Sequence, residues 1–390
     1  MRILELPSWY LPEGGQFCLH QSLALQEAGV EVHIIANVVL PWKKYKFSLL
    51  EYPLEPFFHI ENNIPIYRYY SWRYPFIDIP NIHKWVKKTH KLFKDYKDKY
   101  GLPDLIHVHS SMWGGFAAAL IKEEFGVPYV ITEHRGIFGI ATEYAKSKFK
   151  KEYTPFLNNI FSNADYIIPV SSQQIGKIKE YCEQDQPNIR TIPNILDTSF
   201  FHPINRVDKK NEPFTFVSVN GYNAFKGYEF LLPAFDIVCD QHPDIHLRIV
   251  GEDFQTRGFQ KLLNKCKNKN KISFAGEVGK EQVREELWKA DAFVIASRTE
   301  AQSVSTVEAM SAGLPVVGTS VTPEEILPKE CGYIVPVENI PALADGLIRM
   351  INNYDSFDSN TISNHIKGMV SKEVVTKQLL EVYNEVLKKS

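Results

Sequence analysis

Residues 297–319 read S-R-T-E-A-Q-S-V-S-T-V-E-A-M-S-A-G-L-P-V-V-G-T, and they carry the pattern of an open α/β sheet. The apolar run 292–296 that precedes them is short enough to be a buried parallel strand, and residues 316–318 form a second such strand. Between the two strands the sequence predicts a loop that contains Glu300 and a short helical segment at residues 309–312. In an open α/β sheet such a loop lies at the carboxyl end of its strand, where these folds bind ligands.

The start of this helical region predicts an anion site. The backbone N–H groups of Ser303, Val304 and Ser305 would open the helix without an acceptor inside it. The positive end of the helix dipole lies at the same place, and it favours a phosphate or diphosphate group.

Two glutamates flank the small and β-branched residues of this region. Glu300 and Glu308 would repel an anion, but an ionised carboxylate accepts hydrogen bonds from hydroxyl groups. We therefore expect each of them to bind a sugar next to the phosphates. The alternative is that both are solvated surface residues, which is the usual position of a glutamate. Glu308 fits this alternative less well because its neighbours are apolar or small.

This region resembles the nucleotide-binding signature of the family-4 retaining glycosyltransferases. The resemblance implies an α/β protein with the GT-B fold, in which two Rossmann-like domains have parallel sheets that face a central cleft. It also implies that Glu300 lies near the transferred sugar and Glu308 at the nucleotide ribose. One departure is Ser303, where the family commonly has a glycine three residues after the first glutamate.

Composition limits the classes of function. The 390 residues include 44% hydrophobic residues, which is enough for two domains, and the net charge of −2 argues against a general nucleic-acid binder. The five cysteines are scattered and form no C-x-x-C pair, which is typical of a reducing compartment without structural zinc. The apolar run at the start is too short for a signal peptide, and the sequence contains no membrane span. We expect a cytoplasmic protein.

The chain divides into three parts in this interpretation. Residues 1–205 form a Rossmann-like acceptor-side domain, which ends after P-N-I-L-D-T-S-F-F-H-P, a pattern that resembles the end of the first domain in the family. The charged, proline-bounded segment that follows is a linker. Residues 206–370 form the nucleotide-sugar donor domain, and residues 371–390 are a helix that crosses back to the first domain, as the resemblance implies.

Four residues of the first domain are candidates for the site. Gly15 follows the first strand, where a glycine-rich loop lets backbone amides approach a phosphate; a plain turn is the alternative. His109 ends a buried strand and matches the family position that hydrogen-bonds the donor sugar. His134 and Arg135 end the next strand and are acceptor-side candidates, although Arg135 fits a local ion pair with Glu133 equally well.

Residues 37–80 are predicted to be irregular and are rich in aromatic side chains, which makes them the region for acceptor choice. A helix follows, with seven lysines between Lys84 and Lys99 and apolar residues at helical spacing. Its basic face suits peripheral contact with an anionic membrane at the inner face. The alternative is an ordinary amphipathic helix whose lysines face water.

In the second domain, Lys226 lies at a strand-to-helix turn and is placed to contact phosphate as a point charge. The family pairs this lysine with an arginine five residues earlier, where this chain has Gly221. Arg298 is the candidate that would compensate. The resemblance also sets the nucleobase against the loop that contains Val278.

The resemblance implies a retaining glycosyltransferase of the hexosyltransferase type. It would use a UDP- or GDP-sugar as co-substrate and a saccharide or lipid-linked acceptor, without nucleic-acid partners. Because no D-x-D-like pair follows a strand, we expect no metal and no other cofactor. Two alternatives stay open at this point: a nucleotide-sugar epimerase of the same fold, and a non-catalytic nucleotide-sugar-binding partner subunit.

Overall fold

The structure is a computed structural model that describes residues 1–41, 52–53, 55–73, 77–139, 151–204 and 212–389. The chain forms two compact units. The first contains Met1–Arg135, Lys150–Ile195 and Lys372–Ser390, and the second contains Gly136–Phe149 and Leu196–Ser371. The aromatic residues Trp42, Tyr45, Phe47, Tyr74 and Phe76 of the predicted acceptor region lie outside the described residues.

The sequence suggested a domain boundary near residue 205, and that residue lies outside the described residues. The division between the two units falls earlier in the chain. The chain passes from the first unit to the second between Ile195 and Leu196, and it returns to the first unit at Lys372. The reason is packing: Leu196 and Phe201 are buried in the core of the second unit, and the Leu196 amide donates to the Val370 carbonyl at 2.9 Å. Charge and proline content identify a linker but do not reveal which core the residues before it join.

The first unit has a seven-stranded sheet in the order β3-β4-β2-β1-β5-β6-β7. Its strands are β1 (Arg2–Pro7), β2 (Glu31–Leu40), β3 (Phe57–Glu61), β4 (Ile64–Trp72), β5 (Leu105–His109), β6 (Tyr129–Glu133) and β7 (Tyr166–Pro169). The central strands are buried on both faces, as expected for a parallel sheet covered by helices.

The prediction that residues 37–80 are irregular was wrong. β3 and β4 form an antiparallel hairpin at the edge of the otherwise parallel sheet. Asn62 and Asn63 make its two-residue turn with φ of 52° and 60°, and asparagine tolerates this left-handed conformation better than most residues do. The Asn-Asn pair between two β-branched and aromatic runs was the available signal.

Helices cover both faces of this sheet. They are α1 (Gln16–Glu27), α2 (Asp78–Tyr100), α3 (Phe116–Phe125), α4 (Thr154–Asn163), α5 (Ile175–Lys179) and the C-terminal helix (Lys372–Leu387). α2 buries Trp85, Leu92, Phe93 and Tyr96, which confirms the predicted amphipathic helix. Among the described residues, every helix is too short or too polar to cross a lipid bilayer.

The second unit has a six-stranded parallel sheet in the order β10-β9-β8-β11-β12-β13. Its strands are β8 (Phe214–Val219), β9 (Ile245–Val250), β10 (Ile272–Gly276), β11 (Ala292–Ile295), β12 (Val316–Thr319) and β13 (Gly332–Val335). Its helices are α6 (Tyr228–Gln241), α7 (Arg257–Leu263), α8 (Lys280–Lys289), α9 (Val304–Ser311), α10 (Ile340–Asn352) and α11 (Ser359–Val370). Two parallel-sheet α/β domains are thereby confirmed.

The helix between β11 and β12 is longer than the segment 309–312 that the sequence predicted. α9 begins at Val304 because Ser303 is extended, with φ −70° and ψ 96°, and ends the preceding loop. Thr306 and Val307 have low helix propensity but are buried, so packing against the core offsets their intrinsic preference.

Candidate active site

Lys226 and Glu300 meet at the carboxyl edge of the second unit's sheet. Lys226 follows β8 and Glu300 follows β11, and these two strands are hydrogen-bonded neighbours that run parallel. The loops after them therefore emerge side by side, and Lys226 Nζ donates to Glu300 Oε1 at 2.7 Å. Both side chains are largely but not completely buried, with 24% and 12% of their surface exposed.

A serine that the sequence analysis missed holds Glu300 in place. Ser297 Oγ donates to the same Glu300 Oε1 at 2.7 Å, and Ser297 is completely buried. The Ser297 carbonyl in turn accepts a hydrogen bond from Thr319 Oγ1 at 2.6 Å, which joins the loop to the end of β12. A buried hydroxyl with a charged acceptor has a fixed orientation, so the carboxylate is preorganised.

Gly227 explains why Lys226 comes so close to this loop. It has φ 66°, and a Cβ built on it would lie 2.0 Å from the carbonyl oxygen of Ala296. Only glycine allows the start of α6 to approach the end of β11 at this distance. The backbone contact therefore sets the separation between the lysine and the glutamate.

The first amides of α9 are free of a side-chain cap, as the predicted anion site requires. Ser303 precedes the helix, but its hydroxyl accepts from Thr306 Oγ1 at 2.8 Å and does not cap a backbone N–H. Val304 is half exposed. Within the part of the chain that the structure describes, no acceptor is found for the amides of Val304 and Ser305, so they are available to an anion.

Glu308 is half-buried in the middle of α9. Burial raises the pKa of its carboxyl to about 7, and the positive charge of Lys280 opposes this shift. The described residues provide no hydrogen-bond donor to the carboxylate. A group that is desolvated and lacks a donor gains most from a ligand that supplies hydroxyl groups.

This burial predicts a pH-dependent loss of stability. Because the folded-state pKa is about 7 and the ordinary value is 4.5, the folded state retains the proton between these values, and stability falls as the pH rises through them. We expect Glu308→Gln to be more stable than the parent protein at pH 8 by roughly 1–3 kcal/mol, and to have no advantage at pH 4. Urea unfolding at the two pH values measures this. An equal difference in the free energy of unfolding at the two pH values would contradict the prediction. Glu285→Gln, which changes an exposed glutamate, is the control and should show no such pH dependence.

Arg298 forms two ion pairs inside the second unit, which counts against its predicted role as a replacement for the arginine missing at position 221. Its Nη1 lies 2.8 Å from Glu229 Oε1 and its Nε lies 2.8 Å from Glu338 Oε1. Its guanidinium also donates to the Ala224 carbonyl at 3.0 Å. Gly221 packs so closely that a Cβ there would lie 3.0 Å from Glu252 Cγ. Both acidic partners are distant in sequence from Arg298, which is why spacing did not reveal them.

Val278 follows β10, and its side chain packs against the core of the second unit. The side chain is only partly buried, and the backbone of this loop is the part that the resemblance sets against the nucleobase. That role stays a prediction.

In the first unit, His109 and His134 end adjacent parallel strands and form one hydrogen-bonded chain. His109 is completely buried, with Nε2 at 2.7 Å from Glu5 Oε2 and Nδ1 at 3.1 Å from His134 Nε2. The two contacts are complementary: with Glu5 ionised, its carboxylate accepts from His109 Nε2–H, and Nδ1 is then the acceptor for His134 Nε2–H. His134 is half-buried and stacks on Phe17 at 3.7 Å. Both ring nitrogens of His109 are therefore used inside this unit, and its contact with a sugar stays a prediction.

Burial controls the charge of this cluster. It raises the pKa of the Glu5 carboxyl, which His109 opposes, and it lowers the pKa of His134 well below the ordinary range. It also lowers the pKa of His107, whose Nδ1 lies 2.6 Å from the hydroxyl of Tyr383 in the C-terminal helix. Sequence reasoning missed Glu5, although an acidic residue inside an apolar strand was a signal that it has a partner.

Among the described residues, one group of three potential metal ligands lies close together. It consists of Glu5, His107 and His109, whose carboxylate oxygen and ring nitrogens lie within 4.8 Å of one another. Hydrogen bonds among themselves and with Tyr383 account for their arrangement without an ion. The expectation that no metal is required stays a prediction.

Gly15 and Arg135 have structural roles. Gly15 begins α1 with φ 84°, and a Cβ there would lie 2.6 Å from the Trp9 carbonyl oxygen. Arg135 donates from Nη2 to the Met112 carbonyl at 3.3 Å, and its guanidinium lies 5.1 Å from the centre of the Trp9 ring. Burial lowers the pKa of Arg135, and the charge of Glu133 opposes this shift. Their predicted roles toward ligands stay predictions.

Known proteins resemble this chain over most of its length. TuaC, a glycosyltransferase assigned to teichuronic acid biosynthesis in Bacillus subtilis (strain 168), is 25% identical over 90% of this chain and 89% of its own. The phosphatidylinositol N-acetylglucosaminyltransferase GPI3 subunit of Saccharomyces cerevisiae is 24% identical over 64% of this chain and 58% of its own.

Solved structures share the fold. Sucrose-phosphate synthase from Thermosynechococcus elongatus superposes with a TM-score of 0.80 at 21% identity, with both chains fully covered. HepE from Anabaena in complex with UDP-glucose has a TM-score of 0.70 at 16% identity and covers 99% of this chain and 100% of its own. These neighbours confirm the GT-B fold.

Two family models meet near the middle of the chain. Residues 14–200 match "Glycosyltransferase Family 4" and residues 202–367 match "Glycosyl transferases group 1". Together they span the strands and helices from which the candidate site is built, so the chain belongs to the family-4 glycosyltransferases.

Proposed function

We propose that this glycosyltransferase is a retaining, metal-independent enzyme of the hexosyltransferase type. It moves a sugar from a nucleotide-diphosphate sugar to a saccharide or glycolipid acceptor in polysaccharide or glycoconjugate biosynthesis. The observation that carries the proposal is the contact of Lys226 Nζ with Glu300 Oε1 at 2.7 Å, next to the uncapped start of α9. A cation and free amides can bind the diphosphate of such a donor, and a carboxylate can accept hydrogen bonds from the hydroxyls of its sugar.

The donor would be bound by residues of the second unit. The diphosphate would contact Lys226 and the amides of Val304 and Ser305. When the donor binds, Glu300 would release Lys226 and accept hydrogen bonds from the sugar hydroxyls instead. Glu308 would bind the ribose. HepE was solved with UDP and with UDP-glucose, which supports a UDP-sugar over a GDP-sugar for this chain.

Breakage of the anomeric C–O bond moves an electron pair onto the diphosphate. Lys226 and the α9 amides stabilise that negative charge more in the transition state than in the bound donor, which lowers the barrier. Because no carboxylate is assigned as a nucleophile, retention comes from attack of the acceptor hydroxyl on the face that the diphosphate leaves. The hydroxyl proton passes to the diphosphate oxygen. We infer that this electrostatic set replaces a metal.

The relatives suggest a setting. TuaC is assigned to teichuronic acid biosynthesis and GPI3 is named for a phosphatidylinositol acceptor, which supports a polysaccharide or glycolipid product. The exposed lysines of α2 suit peripheral contact with an anionic membrane from the cytoplasmic side. Sedimentation with anionic and with neutral liposomes tests this contact, and equal binding to both would contradict it.

A thermal-shift panel of UDP-, GDP- and ADP-sugars tests the donor. At about 100 times Kd a ligand of the folded state adds about 2.7 kcal/mol, which raises the melting temperature by roughly 5–10 °C. We expect this shift for one nucleotide, equal in EDTA, and lost in Glu308→Ala. Loss of the shift in EDTA would contradict metal independence. Donor turnover without an acceptor would favour the epimerase, and donor binding without turnover across many acceptors would favour the partner subunit.

A further inference from the structure

The first unit contains a large aromatic pocket at the carboxyl edge of its sheet. Its volume is about 1070 Å³, which is at the upper end of the range for small-molecule sites. Residues at the ends of β2 and β4, from α2, and from the loops after β1, β5 and β6 form its walls. This is the edge where open α/β sheets bind ligands.

Tryptophan dominates the walls. Four of the six tryptophans of the chain, Trp9, Trp72, Trp85 and Trp113, line this pocket. Broad aromatic faces attract C–H groups that carry partial positive charge, and the faces of a sugar ring present such groups. A concentration of indole rings around one pocket therefore suits saccharide rings.

A buried hydrogen-bond acceptor lies among these rings. Asn37 lines the pocket and is 2% exposed. Its Nδ2 donates to Thr89 Oγ1 at 2.9 Å and to the Trp85 carbonyl at 3.2 Å, which fixes the orientation of the amide. Its Oδ1 has no hydrogen-bond donor within the described ranges. Such an orphaned acceptor is costly unless a ligand donates to it, and a sugar hydroxyl can do so.

Two cations of the pocket have no carboxylate within ion-pair distance among the described residues. Lys88 Nζ lies 3.9 Å above the ring of Tyr69. Arg135 Nε is buried, and the described residues offer it no hydrogen-bond acceptor. Arg73, by contrast, is paired with Asp78. The lining as a whole has four basic side chains against two carboxylates, so the pocket favours an anion.

From these observations we propose that the pocket binds the acceptor as a saccharide that carries an anionic group, a carboxylate or a phosphate. The sugar ring packs against the tryptophans, a hydroxyl donates to Asn37 Oδ1, and the anion contacts Arg135 and Lys88. This assignment rests on the proposed transferase function and names its acceptor class.

Titration of tryptophan fluorescence in the full-length protein with bound UDP-glucose tests the proposal. The probes are glucose, glucuronate, glucose 6-phosphate and inorganic phosphate at equal ionic strength. We expect at least one of the two charged sugars to bind about tenfold more tightly than glucose, since a charge-assisted hydrogen bond contributes that much. Preference for glucuronate or for the phosphate then identifies the source of the anion.

Neighbouring lysines of α2 provide a matched pair of variants. Lys88→Gln is expected to remove the advantage of the charged sugar, whereas Lys87→Gln, which changes an exposed lysine outside the pocket, is expected to leave it intact. Arg135→Gln should likewise remove the tighter binding of the charged sugar. A melting temperature close to that of the parent shows that this variant is folded.

Three results would overturn the assignment: equal binding of glucose and both charged sugars, competition by inorganic phosphate as strong as by glucose 6-phosphate, or binding of no sugar while UDP-glucose still binds. In the last case the proposed donor chemistry survives. Loss of UDP-glucose binding itself would instead count against the proposed function.

Discussion

Lys226→Ala is expected to lower kcat/KM for sugar transfer by about 10²–10³-fold, which is the usual loss when one charge-stabilising donor is removed. The negative charge on the departing diphosphate would lose its nearest cation. Arg298 cannot move to this place without leaving Glu229 and Glu338, each 2.8 Å away. We therefore expect no compensation. The effect should lie mainly in kcat, because the lysine acts most strongly on the transition state.

Two controls separate this effect from unfolding. Lys261→Ala removes an exposed lysine of the same unit and is expected to keep full activity. The melting temperature of Lys226→Ala should stay close to that of the parent, since a partly exposed ion pair contributes only about 1 kcal/mol. Activity of Lys226→Ala within a factor of three of the parent would remove the lysine from the mechanism.

Gly227→Ala is expected to destabilise the second unit strongly. The new Cβ would overlap the Ala296 carbonyl oxygen at 2.0 Å, and the residue would keep φ 66°. The left-handed conformation costs roughly 1–2 kcal/mol and the overlap about 1–3 kcal/mol more, so a total near 2–5 kcal/mol is expected. Any shift that relieves the overlap would also move Lys226 relative to Glu300.

Gly276→Ala is the matched control because this glycine also has positive φ, at 77°, but no atom lies within 4 Å of the position of its Cβ. It should therefore lose only the conformational part, about 1–2 kcal/mol. Urea unfolding of the two variants, followed by circular dichroism, gives the difference. Equal losses would mean that the close approach to Ala296 contributes nothing.

The sequence predicted that Lys226 and Glu300 both lie in loops after strands of the second domain, but it did not predict the contact between them. Each residue comes directly after a short apolar run, and adjacent parallel strands release their loops at one edge. The uncapped start of α9 agrees with the predicted helix opening at residues 303–305, and the anion site there stays a prediction. Local pattern and sheet topology were sufficient to place these residues at one sheet edge.

Other parts of the site depend on partners far apart in the chain. Glu5 and His109 are separated by more than 100 residues, and spacing gives no indication that they share a hydrogen bond. The partners of Arg298 and the support of Glu300 by Ser297 were missed for a related reason. The sequence shows what chemistry a side chain can perform. Which residue becomes its hydrogen-bond or ion-pair partner is decided by the packing of the folded chain.

The helix Lys372–Leu387 has a consequence for biosynthesis on the ribosome. Val375, Leu379, Val382 and Tyr383 are buried in the core of the first unit together with Ile3 of β1. The first unit, although most of it is translated early, cannot close its core until the residues of the helix Lys372–Leu387 have been added. The second unit needs no residue beyond Ser371, so it is expected to complete its fold first, against the usual N-to-C order. A released chain truncated after Ser371 should therefore protect the second unit from protease while the first remains sensitive.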